Sequence, residues 1–162
     1  MARLDIADAA PVMARALLAM VQVHRAAPPE IQWNIHQAML LMIRNLERCV
    51  QHRVSIAAAE MAAKMGIPDL HTLVWRDQPK KMRDKDREIF HWEHVVQVSD
   101  IQKEVLSEPD PDLAKIEASL KKTFLAWILK EEDKLLPRGP RIDPFRLYAE
   151  KGIVFAPLPS GT

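Results

Sequence analysis

Apolar positions recur at helical spacing along most of the chain. Met13, Leu17, Met20, Val21 and His24 fall on one face of a helix expected from about Pro11 to Arg25. Proline is tolerated in a first turn, where its missing N–H has no partner to lose. Pro28-Pro29 stops that helix, because the residue before a proline is pushed out of helical backbone. A second helix is expected from Glu30 to about His52, with Ile31, Ile35, Ala38, Met39, Met42, Leu46 and Val50 forming its apolar stripe. The two read as a helical hairpin over residues 11–52. Ser55 is placed to cap a third helix through Lys64, with Gly66 as the left-handed residue beyond its end. Ser99 followed by Gln102 predicts a helix to about Leu106. Asp110-Pro111 opens another, with Leu113, Ile116, Leu120, Phe124, Trp127 and Ile128 on its buried side and Pro137 beyond its end. Asp143-Pro144 caps a last short helix closed by Gly152.

One stretch breaks the period. Ile89, Phe90, Trp92, Val95, Val96 and Val98 are aromatic or β-branched, which predicts a short strand or hairpin, and residues 153–155 offer one more strand. The expected fold is therefore mainly α: one compact multi-helix domain over residues 1–155 with a two- or three-stranded β element, then a loose tail over 156–162.

Four glycines among 162 residues argue against a many-turned β fold. A single cysteine, Cys49, forms no internal disulfide; its place in an apolar helix predicts a buried thiol in a reducing, cytoplasmic compartment. No secretory signal is expected at the N-terminus, and no uninterrupted apolar run reaches the roughly 20 residues of a membrane span. The formal net charge of +1 leaves nucleic-acid binding to a local patch. The best such patch is Arg76, Lys80, Lys81, Arg83, Lys85 and Arg87, interleaved with Asp77, Asp84, Asp86 and Glu88. Its cations would contact DNA phosphates, which position a protein without reading sequence.

The densest chemistry is His91-Trp92-Glu93-His94, two imidazoles and a carboxylate within four residues. On a helix His91 and His94 would share a face; on a strand Trp92 and His94 would, leaving His91 and Glu93 opposite. The spacing is not that of the helical zinc proteases, whose histidines stand four apart. A packed aromatic cluster with Glu93 salt-bridged to a basic neighbour fits the same residues. Glu93-His94-Val95-Val96, with Val98-Ser99 opening a helix, resembles the first half of the HNH, or ββα-metal, nuclease motif. That resemblance implies His94 as the general base and Glu93 as a ligand or neighbour of a divalent Mg²⁺, Mn²⁺ or Zn²⁺. Gln97 stands where such motifs often carry proline, and beyond His94 the chain has neither asparagine nor histidine. Further ligands would come from His91 and from Asp100, Glu104 or Asp112. The implied function is a DNA-associated protein with a divergent or degenerate metal-dependent nuclease site.

Two other functional classes fit the pattern. Residues 59–75 resemble a helix-turn-helix, with Gly66 at the turn, Asp69 capping the second helix, and His71, Thr72 and Arg76 as its polar groups. The N-terminal hairpin could instead serve a helical interaction protein that forms a homodimer. The run Glu131, Glu132 and Asp133 reads as a solvated helix end, with Arg138 and Arg141 as its nearest basic partners.

Overall fold

The computed structural model describes residues 3–78, 82, 88–139 and 141–158. The fold is mainly α, with a small mixed sheet: α1 (Ile6–Ala26), α2 (Pro29–Arg44), β1 (Arg53–Val54), α3 (Ile56–Lys64), β2 (Phe90–His94), α4 (Val98–Ser107), α5 (Leu113–Leu120), β3 (Leu125–Leu129), α6 (Lys130–Lys134) and α7 (Pro144–Glu150). The sheet order is β1-β3-β2, parallel between β1 and β3 and antiparallel between β3 and β2. The chain forms two compact units, one of residues 1–51 with 96–123, the other of residues 52–95 with 124–162.

The first unit is helical. α1 packs on α2 and α5, and α4 on α2 and α5. α1 starts five residues earlier than its proline suggested, because the Asp5 carboxylate accepts the Ala7 N–H at 2.8 Å and nucleates the turn. Its buried face is Ala10, Ala14, Leu17 and Val21. Among the described residues α1 alone is long and apolar enough, by length and composition, to cross a membrane, although Arg15 interrupts it. α2 stops at Arg44 and tightens into a 3₁₀ turn, Asn45–Arg48. That turn rotates Cys49 outward: the thiol is exposed, not buried as its apolar neighbours implied, and donates to the Leu46 carbonyl at 3.5 Å. The buried positions here are Met39, Ile43, Leu46 and Val50, while Ile31 is exposed.

The second unit is built on the sheet. Ser55 caps α3, its Oγ accepting the Ala58 N–H at 3.1 Å. α3 ends in two capping bonds, Ile67 N–H to Ala62 O and Gly66 N–H to Ala63 O, which need Gly66 at φ +62°. Gly152, at φ +71°, closes α7 in the same way and sends Ile153 back into the core.

Two elements differ from expectation. The long helix expected from Asp110 towards Pro137 is α5 followed by a strand. Leu125, Ala126, Trp127 and Ile128 are buried on both faces as the central strand, and a fully buried strand has no alternation to set it apart from a buried helix. After Gly66 the expected second helix is two single 3₁₀ turns, Leu70–Thr72 and Trp75–Asp77; Asp69 caps the first, accepting the His71 N–H at 2.9 Å. Neither turn has the length of a recognition helix. Residues 153–155 add one bridge, Ser55 to Phe155, and Ala156 N–H donates to Val54 O at 2.8 Å, so the C-terminal segment is tied down at its start.

Candidate metal and ion-pair centre

β2 is a regular strand, so its side chains alternate between faces. Phe90, Trp92 and His94 point one way; His91 and Glu93 point the other. The tryptophan face holds Trp92 edge-on to Trp127 at 4.8 Å and to His52 at 4.8 Å, with Trp75 tilted on Trp127 at 5.9 Å. Trp127 is fully buried and its indole N–H donates to the Leu73 carbonyl at 2.9 Å. His94 pairs across the ladder with Leu125 on this face. Glu93 and His94, the pair on which the nuclease resemblance rests, therefore stand on opposite sides of the sheet.

His91 and Glu93 lie opposite Ile128 and Ala126. Beside them is an apolar cluster of Val95, Ala126, Ile128, Leu136, Tyr148 and Ile153. A carboxylate buried against such a surface needs donors. Glu93 has three: Arg141 and the Tyr148 hydroxyl on Oε1, the latter at 2.9 Å, and His91 Nε2 on Oε2 at 2.9 Å. The Arg141 side chain is 9% exposed, and so is that of Glu93. Arg141 also reaches the Tyr148 oxygen at 3.1 Å and lies over its ring. Burial alone would raise the Glu93 carboxyl, but the hydrogen bonds from His91 and Arg141 and the arginine charge outweigh it and hold the group below its ordinary 4.5. Burial would lower Arg141; the bond and charge of Glu93 push it up instead. Burial and the Glu93 charge together push the Tyr148 phenol well above its ordinary 10.0.

α6 completes the centre. Asp133 Oδ1 stands 3.7 Å from His91 Nε2, and Lys130 Nζ stands 3.1 Å from His91 Nδ1. An ammonium has only protons to offer, so Nδ1 is the acceptor and the ring proton belongs on Nε2, aimed at Glu93. One ligand atom each from His91, Glu93 and Asp133 lies within 4.8 Å of the others. A cation among them would take the place of the Nε2 proton and require Lys130 to turn away from Nδ1, since a ligating imidazole donates through its second nitrogen. One nitrogen and two carboxylates suit Zn²⁺ or Mn²⁺ better than Mg²⁺.

Of the residues singled out in the sequence, His91 and Glu93 are brought together. Asp100 belongs to the helical unit, where it pairs with Lys103 at 3.5 Å. Arg76 is exposed in the second 3₁₀ turn. Lys80, Lys81, Arg83, Lys85 and Arg87 lie outside the described residues. Asp133, Lys130, Arg141 and Tyr148 were not singled out as site residues, because the sheet pairing that gathers them is non-local. The sequence sets Arg141 nearest the acidic run of α6, whereas in the fold its partner is Glu93. No known protein family, curated protein or solved structure matches this chain.

Proposed function

We propose that the sheet-based unit is a divalent-metal-dependent domain acting on phosphodiesters, with DNA as its polyanionic partner. The observation that carries this reading is the grouping of His91, Glu93 and Asp133 ligand atoms within 4.8 Å on one side of the sheet. Glu93 and Asp133 would hold the cation with His91, and Arg141 and Tyr148 would orient the Glu93 carboxylate from behind. When bound, such an ion lowers the pKa of a coordinated water and neutralises phosphoryl charge. Lys130, partly exposed at the edge of the group, is the cation placed to meet a phosphate oxygen once released from His91. The basic run from Arg76 to Arg87 leads directly into β2 and supplies further phosphate contacts by its composition. This keeps the metal chemistry implied by the nuclease resemblance, with Glu93 and His91 as ligands, and puts Asp133 in place of Asp100; His94, the general base in that resemblance, stands on the other face of the sheet.

The test has two stages. Calorimetric titration of purified, EDTA-stripped protein with Mn²⁺ or Zn²⁺ should show one site, lost in His91→Ala. Supercoiled plasmid incubated with the loaded protein should be nicked by wild type and not by Asp133→Asn. Absence of metal binding, or equal nicking by both proteins, overturns the proposal.

A further inference from the structure

The run Glu131-Glu132-Asp133 puts three carboxylates in the first turn of α6 and gives each a different setting. Glu131 is in solvent, 76% exposed, paired with Lys134 at 2.7 Å. Asp133 faces His91. Glu132 turns back on the chain: its Oε2 accepts the Leu129 N–H at 2.7 Å and the Ser55 hydroxyl at 2.7 Å. Ser55 is fully buried, its Oγ also accepts the α3 N-terminal N–H of Ala58, and its own N–H donates to Trp127 O at 2.9 Å. One carboxylate thus joins the start of α6 to the junction of β1, α3 and β3.

That junction matters because α6 has five residues, too few to hold a helical turn by itself. Two contacts fix where it begins: Lys130 N–H to Ile89 O at 2.8 Å, and the Glu132 carboxylate. With about 100° of rotation per residue, anchoring Glu132 fixes the directions of Lys130 and Asp133 on either side of it. Both point at His91.

We infer that Glu132 is the positioning residue of the centre: it touches none of the ligand atoms, and it holds Asp133 and Lys130 against His91 through Leu129 and Ser55. The inference rests on the metal reading above for its principal readout. Co²⁺ would be titrated into the stripped protein and followed by its visible d–d absorption. Glu132→Ala should weaken Co²⁺ binding by about tenfold to a hundredfold, the range for lost outer-shell support, and alter the band shape. Glu132→Gln keeps an oxygen for both donors and should return to within a few-fold of wild type, and Glu131→Ala should match wild type. Wild-type affinity and spectrum in Glu132→Ala would overturn the inference. Should Glu132→Ala fail to fold by circular dichroism, Ser55→Gly removes the hydroxyl donor while glycine remains an acceptable cap; it should show the same weakening, and an unchanged site would again overturn the role. If wild type binds no Co²⁺ the metal reading falls, and the role is read on the metal-free protein by the NMR signal of the His91 Nε2 proton. A shift in Glu132→Ala that Glu132→Gln restores upholds positioning; an unmoved signal overturns it.

Discussion

Arg141 donates to the carboxylate of Glu93 across 48 residues of sequence, and the two side chains are equally buried. The pair is a commitment of the fold: the carboxylate sits beside an apolar cluster, where an ion left alone costs several kcal/mol. Arg141→Met should destabilise the protein by about 3–5 kcal/mol in urea unfolding, the cost of stranding one partner of a buried pair. Replacing both, as Glu93→Gln with Arg141→Met, should recover most of that loss. A single variant within 1 kcal/mol of wild type would show that Glu93 finds solvent or another donor.

The same pair sets an acid limit. The Glu93 carboxyl lies below its ordinary 4.5 in the folded protein, so the folded state binds its proton less tightly than the unfolded chain does. The resulting stability is fully present above 4.5 and is lost as pH falls through the lowered folded value. Glu93→Gln has no proton to take up at this position, so its unfolding free energy should fall less steeply over that acid range. Parallel pH profiles for the two proteins would assign the acid sensitivity to other carboxylates, such as Glu104 beside Lys122.

Tyr148 is the only tyrosine in the chain, which makes its ionisation directly visible. Its phenol is held neutral by burial and by the neighbouring Glu93 charge, with the folded value raised above 10.0. The contribution to stability is whole below 10.0 and declines as pH rises from there towards the raised folded value. Tyrosinate absorbance near 295 nm should therefore be absent from the native protein at pH 10–11 and appear together with loss of near-ultraviolet dichroism. Tyrosinate formed in a protein that keeps its tertiary signal would contradict the burial of Tyr148 against Val95 and Ile153.

On the other face of the sheet, Trp127 joins Trp75, Trp92 and a hydrogen bond to Leu73. Trp127→Ala should cost about 3–5 kcal/mol through cavity formation. Trp127→Phe keeps most of the ring and strands the Leu73 carbonyl, for about 1–3 kcal/mol. Equal losses from both would mean that the hydrogen bond, and not the packing, holds this face together.

How much of this could be read along the chain depends on how local each interaction is. Ser55 capping α3, Gly66 and Gly152 ending helices, and the strand at Phe90–His94 follow from residues within a few positions of one another, and each is legible. β3 is not, because Leu125 to Leu129 is apolar on both sides and its strand state is decided by partners at Arg53–Val54 and Phe90–His94. The site inherits the same division. His91 and Glu93 sharing a face follows once β2 is a strand. Asp133 reaching them requires β3 to place α6 beside β2, and Arg141 reaching Glu93 requires the chain to return after α6. Cys49 is exposed against expectation because an apolar stripe gives no sign of the residue at which α2 tightens into a 3₁₀ turn.

The two ligand sets make opposite predictions for two aspartates. If Asp100 supplies the third ligand, as the nuclease resemblance allows, Asp100→Asn should abolish Mn²⁺ or Zn²⁺ binding. The fold places Asp133 beside His91 Nε2 and pairs Asp100 with Lys103 in the helical unit. Loss of one of three protein ligands removes both a charge and a bond, so Asp133→Asn should weaken binding at least as much as loss of an outer-shell partner, about tenfold to a hundredfold. Asp100→Asn should bind as wild type. Amide for carboxylate changes little in volume at either position, so thermal denaturation can show that both variants remain folded when the affinities are compared by calorimetry. The reverse ranking would remove Asp133 from the ligand set and leave its approach to His91 as a contact within the ion-pair network of Glu93, Arg141 and Lys130.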